Sequence, residues 1–236
     1  MKIVGIERCS TVDFPQHIAA VLFLHGCNWR CGYCHNPLLV NCHRGETFST
    51  EYILEFLEKR KGILDGVCIT GGEPLISLDI EFLKKIKEMG YAIKIDTNGC
   101  FPQRLKPLID AKLVDYVAMD LKNSPKKYEH TVNRPIKQEN IEQSVRLIST
   151  LPAYEFRTTV VPTLHTKQDI VDIVQWLAQV THTPKLYAYY LQQFIPRANN
   201  MLDPSFEKVP SQDTIELEAM RQSVKDSFVI CETRTV

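Results

Sequence analysis

The chain has 236 residues, and its 28 lysines and arginines balance its 28 aspartates and glutamates, so that its formal net charge is zero. This length favours one α/β domain, and the 44% hydrophobic and 24% charged residues are typical of a globular rather than a disordered protein. The neutral balance gives no electrostatic reason to expect a nucleic acid or an anionic membrane surface as a partner.

Eight cysteines are many for this length, but they are too sparse for a small disulfide scaffold. They are Cys9, Cys27, Cys31, Cys34, Cys42, Cys68, Cys100 and Cys231. The first residues include charged side chains and are unlike a signal peptide, and no apolar run is long enough to predict a membrane span. We therefore expect a cytoplasmic, reduced protein, in which clustered cysteines indicate metal more often than disulfides.

Short apolar runs rich in β-branched residues alternate along the chain with stretches of helical periodicity. The runs predict six strands, at residues 19–24, 66–70, 91–95, 113–119, 154–161 and 185–191. The periodic stretches predict helices at 49–61, 78–89, 102–110, 138–149 and 167–179. The remaining predicted pieces are an extended segment (2–8), a Pro-containing loop (196–210), a helix (212–224) and a last strand (228–231).

Strands that alternate with helices predict a parallel sheet with the helices packed outside it. Right-handed crossovers would curl six such units into part of a barrel, since eight units usually need about 250 residues. The predicted fold class is therefore α/β, a partial (β/α)6 TIM-like barrel, in one domain (1–236) with a C-terminal extension (about 196–236). Ligands lie beyond the carboxyl ends of the strands in such sheets, so the motifs of a site should follow strands.

The loop after the first strand, residues 25–37, contains the three clustered cysteines in the sequence HGCNWRCGYCHNP. Cys27, Cys31 and Cys34 have the spacing C-x3-C-x2-C. Three thiolates in a short loop can hold three irons of a 4Fe–4S cluster and leave the fourth iron open to a substrate or cofactor. A zinc site is the alternative. Its fourth ligand would be His25, His35, Cys42 or His43.

Polar groups also occur at or near the ends of the later strands. The second strand leads into TGGEP (70–74), where paired glycines let the backbone approach a ligand and Glu73 offers a carboxylate to an amino group. The third leads into DTNG (96–99) and the fourth into MDLK (119–122), while the fifth contains Arg157. Each alone is compatible with an ordinary turn or a side chain at a sheet edge. Their joint position predicts one ligand site.

Together these motifs resemble the radical S-adenosylmethionine (SAM) superfamily, whose marks are the C-x3-C-x2-C loop, the GGE after the second strand and the six-unit partial barrel. Within it, the chain is similar to the activating enzymes of glycyl-radical enzymes. The similarity lies in STVDFP (10–15), HGCNWRCGYCHNP, ITGGEPL, DTNG and MDLK. With LQQF (191–194), the combination looks most like the longer anaerobic ribonucleoside-triphosphate reductase activating proteins, and the pyruvate formate-lyase activating enzymes are near neighbours.

The resemblance implies roles for individual residues. Cys27, Cys31 and Cys34 would ligate one 4Fe–4S cluster, whose open iron would take the amino and carboxylate groups of SAM. The SAM site would comprise Tyr33, Gly71, Gly72, Glu73, Asp96, Thr97, Asn98, Asp120, Lys122, Arg157, Val161 and Gln193.

Some of these roles are specific. The glycines and Glu73 would meet the amino group of SAM, Lys122 would face its carboxylate, and Tyr33 would lie near adenine. Ribose, adenine or carboxylate contacts would come from Arg157, Val161 and Gln193. The residues that match the site of a monovalent cation in the pyruvate formate-lyase activating enzymes are Asp96, Thr97 and Asp120.

The implied activity is reductive cleavage of SAM, followed by removal of a hydrogen atom from a glycine Cα of a partner protein, here the anaerobic ribonucleotide reductase. A reduced flavodoxin or ferredoxin would suit as electron donor. The alternatives are a partner of the pyruvate formate-lyase type, a small-molecule substrate as in the purine-analogue synthases, and a zinc-binding module without catalysis. Cys68 lies in an apolar run that predicts a core position. No role is assigned to Cys9, Cys42, Cys100 and Cys231.

Overall fold

The structure is a computed structural model that describes residues 1–40 and 47–235. Cys42 and His43, two of the alternative zinc ligands, lie outside the described residues. By its internal contacts the chain divides into two units, and the single domain stays a prediction. The first unit comprises Met1–Asn28, Leu38–Thr97 and Phe101–Val117. The second unit comprises Trp29–Pro37, Asn98–Cys100 and Ala118–Val236.

The described part of the chain has eight strands in one sheet, in the order β1 to β8. They are β1 Ile3–Ser10, β2 Ala19–Leu24, β3 Gly66–Gly71, β4 Ala92–Thr97, β5 Tyr116–Asp120, β6 Tyr154–Val160, β7 Leu186–Gln193 and β8 Phe228–Arg234. β1 pairs antiparallel with β2, whereas β2 with β3, β3 with β4, β6 with β7, and β7 with β8 pair in parallel. The six predicted strands are therefore confirmed as β2 to β7, and the two flanking segments add one strand each.

The α-helices of the described residues are α1 Pro37–Val40, α2 Thr50–Glu58, α3 Ile80–Glu88, α4 Pro102–Asp110, α5 Tyr128–Val132, α6 Gln138–Ile148, α7 Lys167–Thr181 and α8 Thr214–Gln222. The predicted helices are confirmed to within a few residues at each end. α1 and α5 were not predicted, because four or five residues are too few to show helical periodicity. Within residues 1–40 and 47–235, no helix is both long and apolar enough to cross a membrane.

Side-chain caps explain where several helices begin. Ser49 Oγ accepts a hydrogen bond from the backbone N–H of Tyr52 at 3.1 Å, which starts α2. At α7, the Thr166 and Asp169 side chains each accept from the other's backbone N–H, the reciprocal pattern of a capping box. α3 ends before Gly90, whose φ of 91° suits a residue without a Cβ.

Each unit buries its own apolar side chains. In the first unit, β2 and the first four residues of β3 are almost wholly buried, and α2 buries Ile53 and Leu57. In the second unit, the Tyr128 ring packs edge-on against Trp29 and Trp176, with centroids 5.6 Å and 6.2 Å apart. The core therefore includes consecutive residues of these strands, on both of their faces, and the helix faces that the apolar pattern marks.

The strand ends position the predicted polar motifs. In the first unit, parallel pairing puts the carboxyl ends of β2, β3 and β4 at one edge, where the cysteine loop begins and where Gly71 and Thr97 end their strands. In the second unit, Asp120 ends β5 and Gln193 ends β7. β3 and β4 are each longer than predicted, so Gly71, Asp96 and Thr97 belong to strands rather than to the following loops.

Candidate active site

The cysteine loop begins in the first unit with Cys27 and continues in the second with Cys31 and Cys34. None of the three forms a disulfide within the described residues. Cys31 and Cys34 lie on one turn, in which the Cys34 N–H donates to the Cys31 carbonyl at 3.0 Å. The Asn36 N–H donates to Cys34 Sγ at 3.4 Å. Hydrogen bonds of this kind to the sulfurs are one of the means by which proteins tune cluster-ligating thiolates.

A segment of the C-terminal extension lies against this turn, and no sequence motif predicted it. The backbone N–H groups of Leu202 and Asp203 donate to the carbonyls of Cys34 and Gly32 at 3.1 Å and 3.0 Å. A Cβ on Gly32 would lie 2.4 Å from the Phe206 ring. The residue between Cys31 and Tyr33 is therefore a glycine because a side chain there would collide with the segment that packs on the turn.

Tyr33 is 6% exposed, and its buried hydroxyl has no hydrogen-bond partner among residues 1–40 and 47–235. Burial, and after it the charge of Cys31, raises the pKa of the phenol well above its usual value. An unsatisfied buried hydroxyl costs about 1 to 3 kcal/mol, so a ligand that accepts from it would be stabilised. His35, an alternative zinc ligand, stacks near Phe194 with centroids 6.1 Å apart. Burial, and after it the charge of Arg197, lowers the pKa of His35.

The two glycines after β3 are required by close contacts within the first unit. A Cβ on Gly71 would lie 2.3 Å from the Leu24 carbonyl oxygen, and one on Gly72 would lie 2.1 Å from that of Gly26. The Gly72 and Glu73 N–H groups donate to the same two carbonyls, at 2.9 Å and 2.7 Å. The two glycines therefore bring the backbone against the end of β2 and the start of the cysteine loop, while their approach to a ligand stays a prediction.

Glu73 is 1% exposed and lies next to Thr97, another predicted site residue. Glu73 Oε1 accepts from Thr97 Oγ1 at 2.9 Å and from the Leu75 N–H at 3.0 Å. The second bond caps a short 3-10 turn at Pro74–Ile76. The buried carboxylate is thus oriented by β4 and by its own turn, which is the pre-organisation expected of a binding group.

The Asp96 carboxylate pairs with the ammonium of Lys94, a residue that no motif included. Lys94 Nζ also lies 3.6 Å from Cys68 Sγ, which in turn lies 3.9 Å from Asp96 Oδ1. Cys68 is completely buried, as predicted, but it contacts a charged pair as well as apolar neighbours. The signal in the sequence was a lysine between the two isoleucines of a predicted strand.

Two predicted residues of the second unit, Lys122 and Arg157, converge on Asp120. Lys122 Nζ lies 3.0 Å from Asp120 Oδ2, and Arg157 Nε lies 2.9 Å from Asp120 Oδ1. Desolvation alone would raise the pKa of Asp120, but the charges of Arg157 and Lys122 hold it well below its usual range. Desolvation alone would lower the pKa of Lys122, but the Asp120 carboxylate raises it well above its usual range. All three groups are therefore charged at neutral pH.

His165 links two further predicted residues and was itself missed. Its Nδ1 accepts from the Val161 N–H at 3.0 Å, and its Nε2 lies 2.8 Å from the Lys122 carbonyl oxygen. Because Nδ1 accepts, Nε2 carries the proton and donates to Lys122. Burial lowers the pKa of His165, so the ring is neutral. A histidine in a loop has no periodic signal that reveals such a role.

Two further predicted residues, Asn98 and Gln193, form hydrogen bonds with backbone groups of the second unit. Asn98 Oδ1 accepts from the Cys100 N–H at 3.0 Å. Gln193 Nε2 donates to the Gln212 carbonyl at 2.7 Å, which ties β7 to the segment before α8.

The family model of the radical SAM superfamily matches residues 21–179. This match includes the cysteine loop, the residues after β3 and the Asp120 group. The chain therefore belongs to the radical SAM superfamily.

Proteins of similar sequence indicate which group of the radical SAM superfamily contains this chain. A protein of Methanocaldococcus jannaschii, provisionally named a glycyl-radical enzyme activating enzyme, is 37% identical over 96% of this chain and 94% of its own length. The pyruvate formate-lyase-activating enzyme of Clostridium pasteurianum is 36% identical and the pyruvate formate-lyase 1-activating enzyme of Escherichia coli 33% identical. These two matches span about half of this chain and 52% of each relative. Within the superfamily, the chain belongs to the glycyl-radical enzyme activating enzymes.

Solved structures agree with the fold at low sequence identity. Streptococcus suis SuiB has a TM-score of 0.68 at 15% identity, over 90% of this chain and 48% of its own. Escherichia coli QueE has a TM-score of 0.57 at 15% identity, over 99% and 94%. A domain of a pyruvate-formate lyase-activating enzyme from Bacteroides vulgatus has a TM-score of 0.51 at 19% identity, over 70% and 98%. The predicted fold class, the partial barrel of the radical SAM type, is thereby confirmed.

Members of this family are oxidoreductases that use a 4Fe–4S cluster and SAM, and both cofactor predictions are confirmed at that level. The residues present fit these groups. The C-x3-C-x2-C loop supplies the soft thiolates that iron–sulfur clusters need. The buried, unpartnered Tyr33 hydroxyl and the charged groups around Asp120 suit a polar, zwitterionic ligand. The zinc-binding module is thereby set aside.

Proposed function

We propose that this protein activates the anaerobic ribonucleoside-triphosphate reductase by generating a glycyl radical on it. The observation that carries the proposal is the full-length similarity to a glycyl-radical enzyme activating enzyme, against half-length matches to the pyruvate formate-lyase activating enzymes. The combination of the cysteine loop, ITGGEPL, DTNG, MDLK and LQQF supports the reductase as the partner.

Cys27, Cys31 and Cys34 hold one cluster in this proposal. The cluster would supply the electron for reductive cleavage of SAM, and that chemistry would remove a hydrogen atom from a glycine of the partner. The chain positions the substrate and excludes water from it. One cluster is expected, because the interval 35–70 contains only Cys42 and Cys68 as further cysteines.

The remaining predicted residues bind and orient SAM in this proposal. Glu73 accepts from its amino group, since the carboxylate is buried and already oriented by Thr97. Lys122 faces its carboxylate, and Asp120, which Arg157 also contacts, keeps the lysine charged and in place. Tyr33 donates its unpartnered hydroxyl to a polar atom of the adenosine.

The remaining SAM contacts in the proposal come from Gly71, Gly72, Asp96, Asn98, Val161 and Gln193. A single domain, a cytoplasmic location and a flavodoxin or ferredoxin as electron donor belong to the same proposal.

Anaerobic reconstitution with iron and sulfide tests the ligand set. Cys31→Ala should lose the cluster, because two thiolates cannot hold three irons. Cys9→Ala is the matched control, since Cys9 is an exposed thiol on β1. We expect about four irons per chain for wild type and Cys9→Ala. An unchanged iron content in Cys31→Ala would contradict the assignment.

Electron paramagnetic resonance tests the partner. The reconstituted protein, reduced and given SAM, should produce a glycyl-radical doublet on the anaerobic ribonucleotide reductase encoded in the same genome. A reductase with its radical glycine changed to alanine should give none. A doublet only on a pyruvate formate-lyase would make the reductase assignment wrong. Formation of 5′-deoxyadenosine without a doublet on either partner would favour the small-molecule alternative.

A further inference from the structure

Strand β4 contains a buried lysine whose charge has a fixed partner. The Lys94 side chain is 3% exposed, and its ammonium pairs with the Asp96 carboxylate, which is 16% exposed. β3 places Cys68 directly beside Lys94 in the parallel register, with Lys94 Nζ 3.6 Å from Cys68 Sγ. A positive charge is therefore held next to one of the residues predicted to bind a monovalent cation.

The strand geometry explains why this pair forms. Successive side chains of a strand alternate between its faces, so residues 94 and 96 share one face while Ile93 and Ile95 occupy the other. The two isoleucines are completely buried, and their burial determines which face of the strand carries residues 94 and 96. An ammonium so deeply buried is stable only when it is paired, and Asp96 supplies a carboxylate on the same face.

A cation at Asp96 would duplicate this charge. The carboxylate already faces the Lys94 ammonium, and a second positive ion on it would repel that ammonium in a region with little screening by water. The neighbouring Thr97 hydroxyl donates its hydrogen to Glu73 and is held there. In the second unit, the Asp120 carboxylate is engaged by Lys122 and Arg157. The two carboxylates expected to bind an alkali cation thus carry basic partners from the chain itself.

We propose that the Lys94 ammonium takes the place of the monovalent cation at Asp96, so that this protein neither binds nor requires an alkali cation there. The replacement of charge rests on the ion pair alone. Its consequence for SAM binding rests on the proposed function.

The wild-type protein provides the first test. Its melting temperature without cluster or SAM should be the same in potassium, sodium and choline chloride at equal ionic strength. Choline chloride is the reference salt, because choline is too large for a cation site. Sodium that binds non-specifically to the protein surface broadens the sodium-23 resonance to some extent. The resonance should show no broadening beyond that amount. After reconstitution, the dissociation constant of SAM should not differ between the three salts. A specific stabilisation by potassium or sodium would overturn the proposal.

The second test removes the ammonium with Lys94→Met, which keeps the length of the side chain. The uncompensated Asp96 should lower the melting temperature in choline chloride by about 10 °C. Potassium or sodium should restore at least half of that loss by entering the vacated position. The variant should also bind SAM about tenfold more weakly in choline chloride than in potassium chloride.

Lys87→Met is the matched control, because Lys87 forms a surface ion pair with Asp115 at 2.7 Å in the same unit. Its melting temperature should change by about 2 °C or less, with no preference among the salts. A Lys94→Met variant that folds but gains no alkali-specific stabilisation would overturn the proposal. If that variant does not fold, the wild-type comparison decides alone. The melting and sodium measurements need neither SAM nor a partner, so their failure is distinguishable from failure of the proposed function.

Discussion

Two carboxylates of the candidate site, those of Glu73 and Asp120, are each held by neighbours in their own unit. Glu73 is oriented by Thr97 and by the Leu75 N–H. Asp120 is oriented by Lys122 and Arg157. Groups held in this way need little reorganisation when a ligand arrives, so their charge contributes to affinity rather than to ordering.

At the residue scale, Glu73→Gln tests the role of the charge. The amide oxygen can still accept from Thr97 and Leu75, so the fold and the cluster should be retained. Loss of the negative charge should weaken the binding of the SAM amino group by about tenfold, or about 1.4 kcal/mol. Isothermal titration of the reconstituted protein with SAM measures this change. Glu88→Gln, the same substitution at an exposed position of α3, should bind SAM normally. Unchanged affinity in Glu73→Gln would refute the assignment.

At the scale of elements, the connection after β3 determines where the cysteine loop starts. Two carbonyls of the β2 end and its loop accept the N–H groups of Gly72 and Glu73. There is no space for a Cβ at Gly71 or at Gly72. The GGE motif is therefore a structural contact between two strand ends as well as a candidate ligand contact.

Gly72→Ala should separate these strand ends, because its Cβ would lie 2.1 Å from the Gly26 carbonyl oxygen. We expect a loss of about 3 kcal/mol in the free energy of unfolding and a lower iron content. Gly90→Ala is the control, since Gly90 has a φ of 91° but open space around it. It should lose about 1 to 2 kcal/mol from backbone strain and retain its iron. Anaerobic urea unfolding and iron analysis measure both effects. Equal losses in the two variants would show that the contact at Gly72 is unimportant.

At the scale of the whole molecule, balanced charges make the stability of the protein depend on individual buried groups rather than on net charge. His165 is such a group. It is neutral between the Val161 N–H and the Lys122 carbonyl, and burial lowers its pKa below 6.5. Protonation of Nδ1 would bring a second hydrogen against the Val161 N–H.

His165 should therefore make the protein less stable in mild acid. Below pH 6.5 the unfolded chain takes up a proton that the folded chain does not, so the free energy of unfolding falls as the pH decreases from about 6.5 to the lowered pKa. The contribution is at most about 1.4 kcal/mol per pH unit. His165→Gln keeps a donor for Lys122 and should make this slope shallower in urea unfolding from pH 7.5 to 5.5. His130→Gln, at an exposed position, should not change the slope. A wild-type slope in His165→Gln would contradict the prediction.

The sequence by itself determined the features that depend on local spacing. The C-x3-C-x2-C loop, the order of six strands and their helices, and the polar residues at the strand ends were all predicted, because period and spacing act within a few residues. The short helices α1 and α5 were not, since a single turn carries no period.

Only the tertiary structure decided which distant residues meet. Lys94 and Cys68 lie 26 residues apart and become neighbours through the register of β3 and β4. His165 and Lys122 lie 43 residues apart and meet across a loop. The pairing of strands and the packing of loops select these contacts, and no local pattern records them. For this reason the motifs predicted the cofactor chemistry of the chain. The ammonium beside Asp96 and the hydrogen bond from His165 to Lys122 depended on the folded structure.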